Sequence, residues 1–172
     1  MYMKAMREWV EGPQIVGEFS ISPAHVVREA AAFYGLDAVQ VRQAVQGREL
    51  DALEGLEVIL EITIERGFSR TMFKKRLGQQ APFVRYFLLN FARMGISWGE
   101  MAIDSLFWKE ICATYPVLLH IDFQPEHLPE IVEKVGPAGI SLSGGEEERV
   151  GVKSFDAIDA IFEKIEDSSD EI

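Results

Sequence analysis

Apolar, β-branched runs alternate with amphipathic helical segments along almost the whole chain, and Gly or Pro marks most junctions. Strand and helix taking turns requires a parallel sheet with helices packed outside it. Asp37 to Arg42, Val84 to Phe91, Val117 to Phe123 and Gly139 to Ser143 read as strands, with a short β-leaning run from Gln14 to Ser20. The apolar spacing predicts helices over residues 2–11, 23–34, 69–78, 97–113, 125–135 and 155–166. Ser22-Pro23 is expected as an N-cap followed by proline at the first helical position, and Ser97 with Glu100 as a capping box. Gly12-Pro13, Gly35 and Gly136-Pro137 supply stops. Residues 51–66 read both ways: Asp51 and Glu54 have capping-box spacing, while Leu56, Val58, Leu60, Ile62 and Ile64 alternate strictly. If that segment is a strand, the strand–helix unit repeats about six times.

Length and composition narrow the function classes. A chain of 172 residues, 48% hydrophobic and 26% charged, suits one domain with one core and excludes a disordered chain. No linker or composition shift divides it, so residues 1–172 are expected as a single domain: a helix over 1–12, the βα body over 14–167, and a flexible acidic tail over 168–172. Glu146, Glu147 and Glu148 read as solvated loop. A net charge of −11 repels phosphate backbones, so nucleic acid is not expected as a partner. No stretch approaches the roughly 18 apolar residues of a membrane span, and the first residues lack a signal-peptide core, which predicts a cytoplasmic protein. The single cysteine, Cys112, excludes an internal disulfide and reads as a small buried apolar residue. His25, His120 and His127 are not spaced as metal ligands; no metal or cofactor is expected. Trp98, Phe107, Trp108 and Tyr115 read as packing between helix and sheet.

Several ordered segments resemble the phosphoribosylanthranilate isomerase family, the TIM barrels of tryptophan biosynthesis. Gly139 to Lys153 (G-I-S-L-S-G-G-E-E-E-R-V-G-V-K) is similar to a family segment of the form G-V-D-V-S-S-G-V-E-x-x-x-G-V-K. Val117 to Leu128 (V-L-L-H-I-D-F-Q-P-E-H-L) resembles F-L-L-A-G-G-L-x-P-E-N-V. Val16-Gly17-Glu18-Phe19 with Ser22-Pro23, Gly35 to Val41, Gly55 to Ile59, and Phe87 to Asn90 resemble V-G-V-F-V-N-x-S-P, G-L-D-A-V-Q-L, G-L-P-V-I and F-L-L-D in turn. The match at Gly55 to Ile59 favours the strand reading of 56–64. The resemblance spans residues 14–165 and begins at the family's third strand. It implies an α/β, incomplete TIM-barrel-like fold of about six parallel strands, lacking the family's first two.

The same resemblance places the family's functional positions and shows most of them changed. Asn90 stands where the family has its general acid, an aspartate, and an amide exchanges no proton near neutral pH. The general-base cysteine belongs to the absent first strand. Arg42 replaces a histidine, Ile121-Asp122 replaces a glycine pair at the substrate phosphate, and Ser141 replaces an aspartate. Ser143, Gly144 and Gly145 are what remains of the phosphate cradle. Arg42, Asn90, Asp122, Ser143, Gly144 and Gly145 are therefore the candidate substrate- or anion-binding residues, with Arg42 expected to pair with Asp122. The expected function is a catalytically degenerate relative, repurposed for binding or assembly. Bare sheet edges and the apolar Tyr2, Met3, Met6, Trp9 and Val10 predict a homo-oligomer, most simply a dimer. The alternative is an active isomerase with substituted residues. Residues 27–46 also resemble a helix-turn-helix, a weaker reading because the chain is acidic.

Overall fold

Six strands form one sheet whose order follows the chain: β1 (Val16–Phe19), β2 (Ala38–Arg42), β3 (Val58–Thr63), β4 (Tyr86–Asn90), β5 (Val117–His120) and β6 (Gly139–Ile140). The sheet is parallel, with Val16 opposite Ala38, Val39 opposite Val58, and Leu118 opposite Gly139. The expected α/β architecture, with 56–64 as a strand, is therefore what forms. The computed structural model describes residues 12–42, 50–144, 147–149, 152–154 and 156–169. The helix expected over 2–11 lies outside them, as do Gly145 and Glu146. The chain divides into two compact units, residues 1–89 and 90–172; each is described by itself.

In the first unit, α1 (Ala24–Tyr34) connects β1 to β2, and α2 (Arg70–Gln80) follows β3. Pro23 is itself the N-cap of α1, not its first helical residue, and its carbonyl accepts from the Val26 and Val27 N–H groups. Gly35 stops α1 in the left-handed conformation at φ 64°, which glycine adopts without a Cβ clash. Ser69 caps α2 by accepting the Met72 N–H. β3 is the most deeply buried strand, with only its last residue half-exposed, as befits a strand covered on both faces. Val39, Val41, Leu60 and Ile62 are buried, while the alternate positions Gln40, Arg42 and Glu61 carry polar groups along the other face.

In the second unit, α3 (Trp98–Ala102) and α4 (Ser105–Thr114) lie between β4 and β5, where the sequence predicted one helix. Asp104 explains the break: its N–H donates to the Met101 carbonyl, and its own carbonyl then starts α4 by accepting from Phe107. Aspartate favours such helix-start positions over helix interiors. The Ser97–Glu100 capping box forms as predicted. Residues 125–134 begin as a tight turn at Pro125–His127 before α5 (Leu128–Lys134), because Pro129 has no N–H for the first helical bonds. Trp98, Phe107 and Trp108 are buried, and Phe91 meets Trp108 edge to face at 4.8 Å between ring centres. One expectation fails near the C-terminus. Glu147 and Glu148 belong to a small antiparallel hairpin, β7 (Glu147–Arg149) with β8 (Val152–Lys153), instead of a loop. Helix α6 (Asp156–Ser169) closes the described chain.

Candidate functional site

Parallel βα sheets carry their binding residues beyond the C-terminal strand ends. In the first unit that position holds a charge cluster. Arg42, the last residue of β2, is flanked by Glu18 of β1 and Glu61 of β3, with Arg42 Nη2 3.1 Å from Glu18 Oε1 and Arg42 Nε 3.5 Å from Glu61 Oε2. Glu61 is 2% exposed, and Gln40 Nε2 donates to its Oε2 at 3.0 Å. The Arg42 Nε is buried and reaches Glu61 without hydrogen-bond geometry. Arg42 thus takes its partners from the first unit, whereas Asp122, its expected partner, belongs to the second. Glu61 went unnoticed in the sequence. Its signal was there: one carboxylate inside the apolar run V-I-L-E-I-T-I.

In the second unit, Asn90 ends β4 and is 7% exposed. Its Oδ1 accepts the Arg93 N–H at 2.9 Å, which anchors the turn at Ala92–Met94. Asn90 therefore serves the backbone. Asp122 is exposed, and its carbonyl accepts the Trp98 N–H at 3.0 Å, fixing the start of α3. Asp122 and Ser143 line one cavity of about 480 Å³, together with His120, Trp98, Ile121 and Leu142. Gly144 follows Ser143 and is exposed; Gly145 is outside the described residues.

The cavity also brings in His120, which the sequence reading left as an ordinary histidine. Its Nδ1 lies 3.0 Å from the Ser141 carbonyl oxygen and 3.2 Å from Ser141 Oγ. Its Nε2 lies 3.4 Å from Ser143 Oγ. Beside the cavity, Glu130 accepts from Lys134 Nζ at 2.6 Å and from Trp98 Nε1 at 2.9 Å, and these bonds hold its carboxyl below the usual carboxylate value. Cys112, half-buried on α4, has its thiol pushed up to about 12 by burial. A thiol in that state offers no thiolate at neutral pH. Among the described residues, no three His, Cys, Asp or Glu side chains come together to hold a metal, and no helix is long and apolar enough to cross a membrane.

A six-stranded parallel βα sheet with polar groups at its C-terminal strand ends defines an incomplete TIM-barrel-like protein. The solved barrels it matches include phosphoribosylanthranilate isomerases. The enzyme from Thermus thermophilus aligns over 96% of this chain and 78% of its own, with TM-score 0.72 and 23% identity. That from Pyrococcus furiosus aligns over 96% and 79%, with TM-score 0.70 and 16% identity, and that from Thermococcus kodakaraensis over 95% and 79%, with 0.68 and 23%. No protein-family model matches the chain, nor does any curated protein sequence. What is shared is the fold: this chain has the architecture of those isomerases over about four-fifths of their length.

Proposed function

We propose that this protein is a relative of the phosphoribosylanthranilate isomerases that has lost their chemistry and uses the scaffold for binding and self-assembly. Asn90 is the observation that carries the reading. It occupies the general-acid position given by the resemblance, has no titrating proton near neutral pH, and spends its acceptor on the Arg93 N–H. The engagement of Arg42 by two carboxylates supports the same conclusion, because it leaves no unneutralised cation there to attract a substrate phosphate. The test is incubation of purified protein with N-(5′-phosphoribosyl)anthranilate, with chromatographic measurement of its disappearance. No conversion above background is expected; turnover abolished by Asn90→Ala overturns the reading.

Assembly draws on the sheet edge. β6 ends the strand order, and beside it α5 and α6 border an apolar groove of about 660 Å³. Val132, Phe162 and Ile165 line it while 57%, 55% and 44% exposed. The occupant is a second copy of this chain. Its residues 1–11, which end five residues before β1, supply the apolar Tyr2, Met3, Met6, Trp9 and Val10 as cover. Light scattering is expected to give twice the 19.4 kDa chain mass, and Phe162→Glu or deletion of residues 1–12 to give monomer. A stable monomer of the full chain at micromolar concentration overturns this part.

A further inference from the structure

We propose that Ser143 and His120 form a nucleophile–base pair that takes the acyl group of small uncharged or cationic esters. The hydrogen-bond directions carry the assignment. The Ser141 carbonyl oxygen can only accept, so at 3.0 Å it selects the His120 tautomer with the hydrogen on Nδ1, and Ser141 Oγ, 3.2 Å from the same nitrogen, can accept from it as well. Nε2 is then left with a lone pair, and the group facing it at 3.4 Å is Ser143 Oγ. The hydroxyl therefore donates to Nε2, the arrangement in which an imidazole accepts a serine proton as the oxygen attacks. Ser141 plays the orienting part that a carboxylate plays in a triad, with a backbone carbonyl.

The surroundings suit an acyl acceptor. Ser143 is exposed at the mouth of the 480 Å³ cavity, where a substrate reaches it without a rearrangement. Ile121, Leu142 and Ile158 give the cavity an apolar wall for an acyl chain. Gly144 follows the nucleophile in the chain, the position from which a backbone N–H meets a developing oxyanion in other serine acyl-transfer sites. The exposed Asp122 carboxylate on the same cavity selects against anionic substrates. In the reaction, Ser143 Oγ bonds to the ester carbonyl carbon while its proton passes to His120 Nε2. The carbon–oxygen bond to the alcohol then breaks, and the alcohol leaves with that proton. Water, deprotonated by the same nitrogen, releases the acid and restores Ser143. None of these steps depends on whether isomerase chemistry is present.

A fluorophosphonate probe and p-nitrophenyl acetate test the pair on the full chain. Mass spectrometry of the labelled protein is expected to place one phosphonyl group on Ser143. Ser143→Ala, a substitution at an exposed loop position, is expected to abolish both labelling and ester hydrolysis. His120→Asn keeps a donor for the Ser141 carbonyl and removes the base; it is expected to slow labelling about 10²-fold or more. Labelling that is absent, falls on another residue, or proceeds at an unchanged rate in His120→Asn overturns the assignment, as does ester hydrolysis that survives Ser143→Ala.

Discussion

Arg42→Met removes the cation beside Glu61 and keeps most of the side-chain volume. At 3.5 Å and an effective dielectric of about 20, the gross attraction between the two charges is about 5 kcal/mol. Deleting one partner of a buried pair costs about 3 to 5 kcal/mol, because the other charge stays behind without compensation. Arg42 is one-third exposed and Gln40 still donates to Glu61, which sets the expectation at the lower end, about 3 kcal/mol. Arg85 and Glu57 form an internal control at nearly the same separation, 3.6 Å, but 64% and 62% exposed. Arg85→Met should cost at most about 1 kcal/mol, its contact with the Tyr86 ring included. Urea unfolding followed by circular dichroism gives both values. The double variant Arg42→Met/Glu61→Leu should recover most of the loss, since an apolar pair often replaces a buried ion pair without penalty. If the two single arginine variants fall within about 0.5 kcal/mol of each other, burial does not govern the pair and the reasoning is wrong.

Three further outcomes are expected. Asn90→Asp keeps the acceptor for the Arg93 N–H and should unfold within about 1 kcal/mol of the parent, whereas Asn90→Leu strands that N–H and should lose about 1 to 2 kcal/mol in the same urea titration. Cys112 keeps its proton to higher pH when folded than when unfolded, so its share of stability is complete below the unfolded value near 9 and declines as pH rises from there toward 12; the difference between parent and Cys112→Ala in unfolding midpoints from pH 8 to 10.5 should show that slope, and a flat difference refutes it. Disulfide-exchange reagent at pH 8 should correspondingly modify Cys112 slowly in the folded protein and fast in urea.

Backbone architecture was legible in the sequence, and side-chain partnerships were not. Gly35 and the Ser97–Glu100 box act through bonds to residues within a turn of themselves, and each is where the sequence put it. The segment Val58–Thr63 needed the resemblance, because the helix-start spacing of Asp51 and Glu54 competes with its strict alternation. The division at Asp104 was missed because it depends on one aspartate outweighing a continuous apolar pattern. At the strand ends, Arg42 was singled out with the wrong partner: which carboxylate meets a guanidinium depends on parallel register across β1, β2 and β3, which no local spacing encodes. His120 was passed over for the same reason, since Ser141 and Ser143 reach it only through the pairing of β5 with β6.

Because the strand order follows the chain order, paired strands lie close in the chain: roughly 20 residues separate Val16 from Ala38, Val39 from Val58, and Leu118 from Gly139. Among the described strands, each neighbour in the sheet is also the neighbour in the chain. At synthesis rates of about 5 to 20 residues per second, each new strand leaves the ribosome within about 1 to 4 seconds of its neighbour. Helix formation and short-loop closure are far faster than that. Folding can therefore keep pace with translation, the growing edge of the sheet serving as template for the next strand.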